Sequence, residues 1–130
     1  MSRKQDEIKT IVNVDDLMLN LDTAVPLGLI INELVTNAYK HAFSGQRSGE
    51  LTVSLTKTDD LLTLFVKDNG TGLHEGFDYT KTGTLGLQLV SVLSRQIGGT
   101  FRISYADGTE AVVTFKQKGD HNEKKEDTDS

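Results

Sequence analysis

The chain has no cysteine and no tryptophan, a single proline, and aromatic residues at only 6% of its 130 positions. Without cysteine there is no disulfide and no thiolate metal site, and the composition fits a reducing, cytoplasmic setting without requiring it. No apolar run approaches the roughly 20 residues of a membrane-spanning helix, and no signal peptide precedes the first expected element. Positive charge is also scarce: 14 Lys and Arg against 19 Asp and Glu leave a formal net charge of −5. That balance supplies no electrostatic reason to bind nucleic acid or to touch an anionic membrane. Internal repeats are absent, and so is any G-x-x-x-x-G-K-[ST] phosphate loop. What is present, 36% hydrophobic and 25% charged residues, is ordinary for one globular domain long enough to bury a core.

Residues 1–7 are polar and expected to be flexible. Residues 8–14 alternate as a strand, Asp15-Asp16 reads as a turn, and 17–21 alternate again. Over 25–43, Leu27, Ile30, Ile31, Leu34, Val35, Ala38 and Ala42 recur at three- and four-residue steps, which predicts an amphipathic helix. Asp22 or Thr23 is placed to cap it, Pro26 falls in its first turn, and Ser44-Gly45 is a plausible stop before a loop over 46–49. Leu51, Val53 and Leu55 alternate with Thr52, Ser54 and Thr56. After a turn at 58–60, Leu62, Leu64 and Val66 alternate with Thr63, Phe65 and Lys67, a hairpin with one face on the core. Leu85, Leu89, Leu93 and Ile97 recur every four residues and predict a second helix over 85–97, stopped by Gly98-Gly99. Phe101, Ile103 and Tyr105 form another strand, Asp107-Gly108 a tight turn, and 111–115 its returning partner. Residues 117–130 are charged, lack apolar side chains and read as disordered, so the folded domain spans 8–116.

Three stretches carry chemistry. On the long helix Glu33, Asn37 and His41 stack at i, i+4 and i+8 with Lys40 beside them, along the rim of the apolar face. An amide oxygen such as that of Asn37 suits Mg²⁺, which takes one or two protein ligands and fills the rest with phosphate and water. Lys40 could meet a phosphate as a point charge, and Glu33 could hold a metal-bound water or act as a general base. The same helix is equally compatible with a plain solvated polar edge. Asp68-Asn69-Gly70-Thr71-Gly72 closes a strand. A buried carboxylate there could accept from the exocyclic amine of adenine, with glycines letting a flat base approach, but Asp-Asn-Gly is also a turn signal that needs no ligand. Gly83-Thr84-Leu85-Gly86-Leu87 opens the second helix, where free N–H groups could cradle phosphate or simply join a loop to a helix.

Taken together and in this order, the three stretches resemble the ATPases of gyrase, heat-shock chaperones, histidine kinases and mismatch-repair proteins, which share the Bergerat ATP-binding fold. Glu33-x-x-x-Asn37 is similar to their N box, Asp68-x-Gly70-x-Gly72 to their first glycine box, and Gly83-Thr84-Leu85-Gly86-Leu87 to their second. Within that group, PLGLIINELVTNAYKHAF over 26–43 and GLQLV over 86–90 resemble a subgroup of sensor histidine kinases. The likeness runs from about Val12 to Phe115.

The resemblance implies an α+β fold, a two-layer sandwich whose mixed, mostly antiparallel sheet carries its helices on one face. It implies ATP and Mg²⁺ as cofactors. Asn37 would bind the metal, with Glu33 placing the metal or a water, and Lys40 and His41 would face the phosphates. Asp68 would hold the adenine amine, and Gly70, Gly72 and Leu73 would shape its pocket. Gly83, Thr84, Leu85, Gly86 and Leu87 would bound the phosphate side. Residues 73–82 would form a short lid over the nucleotide, with Phe77 the one candidate for a phenylalanine box. The γ-phosphate would pass to a histidine on a separate helical acceptor and dimerisation domain, and onward to a response regulator. None of His41, His74 and His121 lies on a long amphipathic helix of that kind, so the chain resembles the catalytic part of a longer kinase and is expected to be a monomer. A stand-alone anti-sigma-type serine kinase, or a nucleotide-binding interaction module without transfer activity, are the alternatives.

Overall fold

The computed structural model describes residues 7–42, 48–70, 86–105 and 108–116. Five strands, β1 (Glu7–Val14), β2 (Ser48–Thr58), β3 (Leu61–Asp68), β4 (Thr100–Ser104) and β5 (Thr109–Lys116), form one sheet in the order β1-β2-β3-β5-β4. Helix α1 (Leu21–Asn37) connects β1 to β2, and α2 (Gly86–Gln96) lies between β3 and β4. The β1–β2 pair is parallel, as a strand–helix–strand crossover requires, and every other pair is antiparallel. This is the expected α+β sandwich.

Period-two alternation decides which sheet face is buried. Leu51, Val53 and Leu55 of β2, Leu62, Leu64 and Val66 of β3, and Ala111, Val113 and Phe115 of β5 point into one cluster. Leu27, Ile30 and Leu34 of α1 and Leu87, Val90 and Leu93 of α2 complete it, so both helices cover the same face. Replacing a side chain as enclosed as Leu64 by alanine would cost about 2–5 kcal/mol.

The strand expected over 17–21 does not form. Its alternation is real, because Leu17 and Leu19 pack against the core while Met18 is 87% exposed, but no neighbouring strand pairs with it. Asp15 ends the ladder: its N–H donates to the Leu55 carbonyl at 2.9 Å, and its carboxylate accepts from Lys57 N–H at 2.9 Å. Helix α1 therefore begins earlier than expected. Asn20, not Asp22 or Thr23, occupies the cap position, and its carbonyl accepts from the N–H groups of Thr23 and Ala24. Pro26 then sits in the second turn, where it removes the bond to the Asp22 carbonyl; Asp22 is exposed and water can serve it. After Asn37 the helix widens into a π-helical turn over Ala38–Ala42. The expected stop at Ser44-Gly45 lies outside the described residues, while Ser48 and Gly49, expected in a loop, belong to β2 because they pair with Glu7 and Ile8. Apart from Glu7, the stretches 1–7 and 117–130 also lie outside the described residues.

Candidate functional site

Asp68 is where the sheet register places a carboxylate on the core side. Inward positions on β3 run Leu62, Leu64, Val66, Asp68, and Asp68 is 4% exposed. Its Oδ1 accepts from the N–H of Gly70 at 2.8 Å and of Thr109 at 3.2 Å. Neither bond uses Oδ2, which among the described residues stands as an acceptor for a ligand. Burial pushes the carboxyl above its ordinary value, opposed by the two N–H donors and by the Lys67 charge.

Two residues that sequence reasoning passed over complete this end. Gly108, read only as part of a turn, has φ +86°, and a Cβ on it would run into the Asp68 carbonyl. Only glycine lets β5 start this close to the end of β3. Thr109 then stands opposite Asp68 in the ladder, 6% exposed. Its buried hydroxyl has no hydrogen-bond partner among the described residues. The signal that could have found both is the β3–β5 register, which couples positions 41 apart.

The other end is built by the helices. Asn37, the last residue of α1, is 7% exposed, and Glu33 lies one turn before it, half-buried. Gly86, the first residue of α2, packs against both: a Cβ there would lie 2.8 Å from Glu33 Oε1, 3.2 Å from Asn37 Nδ2 and 3.5 Å from Asn37 Oδ1. Residues from two of the three sequence stretches thus meet at one spot. A small pocket of about 10 Å³, room for roughly one water, lies between the ends and is lined by Asn37, Asp68, Thr109 and Leu87 with apolar walls from Leu34, Val66 and Ala111. A wider, open hollow of about 310 Å³ over Arg102, Ser104, Glu110 and Val112 lies on the opposite face of β4 and β5 and includes none of the expected site residues.

The remaining expectations divide. Lys40 is exposed and not among the cavity residues, and His41 falls within the π-helical turn. Gly70 is buried and donates to Asp68. Gly72, Leu73, Phe77, Gly83, Thr84, Leu85 and the rest of the lid over 73–82 lie outside the described residues. No cluster of three or more His, Asp or Glu able to hold a metal occurs among the described residues. Glu33 Oε1 and the Asn37 side-chain amide lie about one point beside Gly86, and a carboxylate and an amide oxygen suit Mg²⁺, which needs only one or two protein ligands beside phosphate. Among the described residues no helix is long and apolar enough to cross a membrane.

Comparison with known proteins agrees with this geometry. Residues 22–119 match the family described as histidine kinase-, DNA gyrase B-, and HSP90-like ATPase. The chain is 33% identical over 109 residues to blue-light-activated histidine kinase 2 of Erythrobacter litoralis, covering 83% of this chain and 31% of that protein. It is 30% identical over 102 residues to the serine-protein kinase RsbW of Listeria monocytogenes, covering 68% of this chain and 62% of the relative. The solved histidine kinase domain of the Erythrobacter litoralis EL346 blue-light activated kinase superimposes with a TM-score of 0.77 at 29% identity, over 85% of this chain and 52% of that one. The chain thus spans about a third of the first relative and under two thirds of the second.

Proposed function

The chain belongs to the histidine kinase-, DNA gyrase B- and HSP90-like ATPase family, and from that premise we propose that it binds Mg-ATP and donates the γ-phosphate to a histidine on a separate helical acceptor domain. The observation that carries this reading is that the buried Asp68 and Asn37, from two of the three sequence stretches, line one pocket. Asp68 Oδ2 accepts from the adenine amine, the Thr109 hydroxyl meets the ring edge, and Leu34, Val66 and Ala111 exclude water from its faces. The triphosphate extends toward Glu33, Asn37 and the start of α2, where free N–H groups and the helix dipole favour anions. Mg²⁺, when bound by Asn37 with Glu33 beside it, supplies charge neutralisation for the phosphates.

A neutral imidazole attacks the γ-phosphorus through its unprotonated nitrogen, and the bond from that phosphorus to the β–γ bridging oxygen breaks as ADP leaves. Glu33, exposed enough to exchange protons, accepts the proton released from the other ring nitrogen. A serine acceptor needs its hydroxyl proton removed during attack and would lean harder on that base. The serine-kinase reading stays in view because RsbW is matched over 62% of its length. Labelled ATP with Mg²⁺, offered together with a separately made helical acceptor domain and a serine-bearing acceptor protein, distinguishes the two. Label on the histidine, lost in acid and kept in base, is expected. Label on serine alone would replace this proposal with the serine-kinase reading.

A further inference from the structure

We propose that Asn69 is a positioning residue, whose side-chain oxygen stands in for a strand carbonyl and fixes the turn that presents Asp68 to the base. The inference rests on the reading that Asp68 receives adenine. Strands β2 and β3 pair residue for residue up to Leu51 opposite Asp68. The next pair in register is Glu50 and Asn69, and both of its hydrogen bonds are made, one of them by a side chain. Asn69 N–H donates to the Glu50 carbonyl at 3.2 Å, and Glu50 N–H donates to Asn69 Oδ1 at 2.8 Å. In a continuing antiparallel strand the second acceptor would be the backbone carbonyl of Asn69.

Because the side chain supplies that acceptor, the backbone is released from the ladder at Asn69 and turns within one residue. Gly70 N–H then points back onto Asp68 Oδ1 at 2.8 Å. Short polar side chains that bond to nearby backbone are suited to this substitution of side chain for main chain. Aspartate would offer the same oxygen, but its charge would stand next to a carboxylate already disfavoured by burial. Asparagine provides the acceptor without the repulsion.

The Glu50–Asn69 bond is exposed, whereas the Gly70–Asp68 bond it supports is buried. Removing the amide lets water take the Glu50 N–H, so the fold loses little. The turn, however, loses its tether, and Oδ1 loses a donor that holds Oδ2 toward the ligand. Asn69 therefore acts on recognition of the base and hardly at all on folding.

The test uses the full chain as wild type, Asn69→Ala, Asn69→Asp and Asp68→Asn, with calorimetric titration of ATP and GTP at one fixed pH and a thermal melt of each. Asn69→Ala is expected to melt close to wild type and to lose about three- to tenfold in ATP affinity. Its GTP affinity should hardly change, so the preference for adenine narrows, and Asn69→Asp, which restores the acceptor but adds repulsion toward Asp68, should recover part of the loss. Unchanged ATP affinity in Asn69→Ala, beside a loss in Asp68→Asn, overturns the role of Asn69 and leaves the base pocket standing. No loss in Asp68→Asn overturns the base pocket and this inference with it. Equal weakening of both nucleotides with a lowered melting temperature, or failure of Asn69→Asp to recover, makes Asn69 a plain structural residue and also overturns the proposal.

Discussion

Replacing Gly86 by alanine should separate stability from function at this site. An ideal Cβ there would stand 2.8 Å from Glu33 Oε1 and 3.2 Å from Asn37 Nδ2. Comfortable non-bonded separations begin near 3.5 Å, so the Glu33 carboxylate has to retreat by on the order of half an ångström. No backbone atom blocks the methyl group, and a glutamate's far end moves at little cost. Alanine also favours the helix over glycine by up to about 1 kcal/mol, less at a first position. The melting temperature should therefore hold or rise slightly. The reacting end should suffer, because a misplacement of about 1 Å can cost roughly 10²-fold in rate. Half of that displacement, shared by Glu33 and Asn37, leads to an expected loss of about tenfold in Mg-ATP-dependent transfer. Single-turnover transfer and a thermal melt on the same preparation give both numbers. Full activity in Gly86→Ala would remove Glu33 and Asn37 from the reacting end. A melting temperature lowered by several degrees would show the steric argument itself to be wrong.

Thr109→Val removes a buried hydroxyl without a partner among the described residues, so stability should hold or rise by about 1 kcal/mol while ATP affinity falls, as melts and calorimetry would show. Asp68 has a raised carboxyl, which means the folded state binds its proton more tightly than the unfolded chain. Its contribution to stability is therefore present below the ordinary carboxylate value and lost as pH rises through the folded one; denaturant melts across pH should show this component, and Asp68→Asn should lack it. ATP affinity should run the opposite way, weakening as Asp68 protonates. Asn37→Ala should abolish Mg²⁺-dependent transfer while keeping α1 folded, since alanine is the better helix former, and metal-free nucleotide binding should suffer less; circular dichroism with a transfer assay checks both. Glu33→Gln should leave ATP affinity nearly unchanged and lower transfer by about 10²–10⁴-fold, nearer the lower end for a histidine acceptor than for serine.

Local periodicity made much of this legible. The two-residue alternation of β3 places Asp68 on the buried face as soon as Leu62, Leu64 and Val66 are recognised as core. The spacing of Glu33 and Asn37 puts them on one helix edge without any structure. What stayed hidden depends on tertiary partners. Residues 17–21 have a strand's alternation, yet their neighbours supply packing without a pairing edge. Thr109 and Gly108 matter because β5 lies against β3, a relation no local pattern carries. The approach of Gly86 to Glu33 likewise arises only when α2 packs on α1.

The most direct test of the central claim is an amide NMR titration of the full chain with ATP, first without and then with Mg²⁺. The account predicts the largest shift changes at the backbone amides of Gly70, Thr109 and Leu87 and at the side-chain amide of Asn37. Asn37 should respond further when Mg²⁺ is added. Changes centred instead on Arg102, Ser104, Glu110 and Val112, around the hollow on the opposite sheet face, would contradict it.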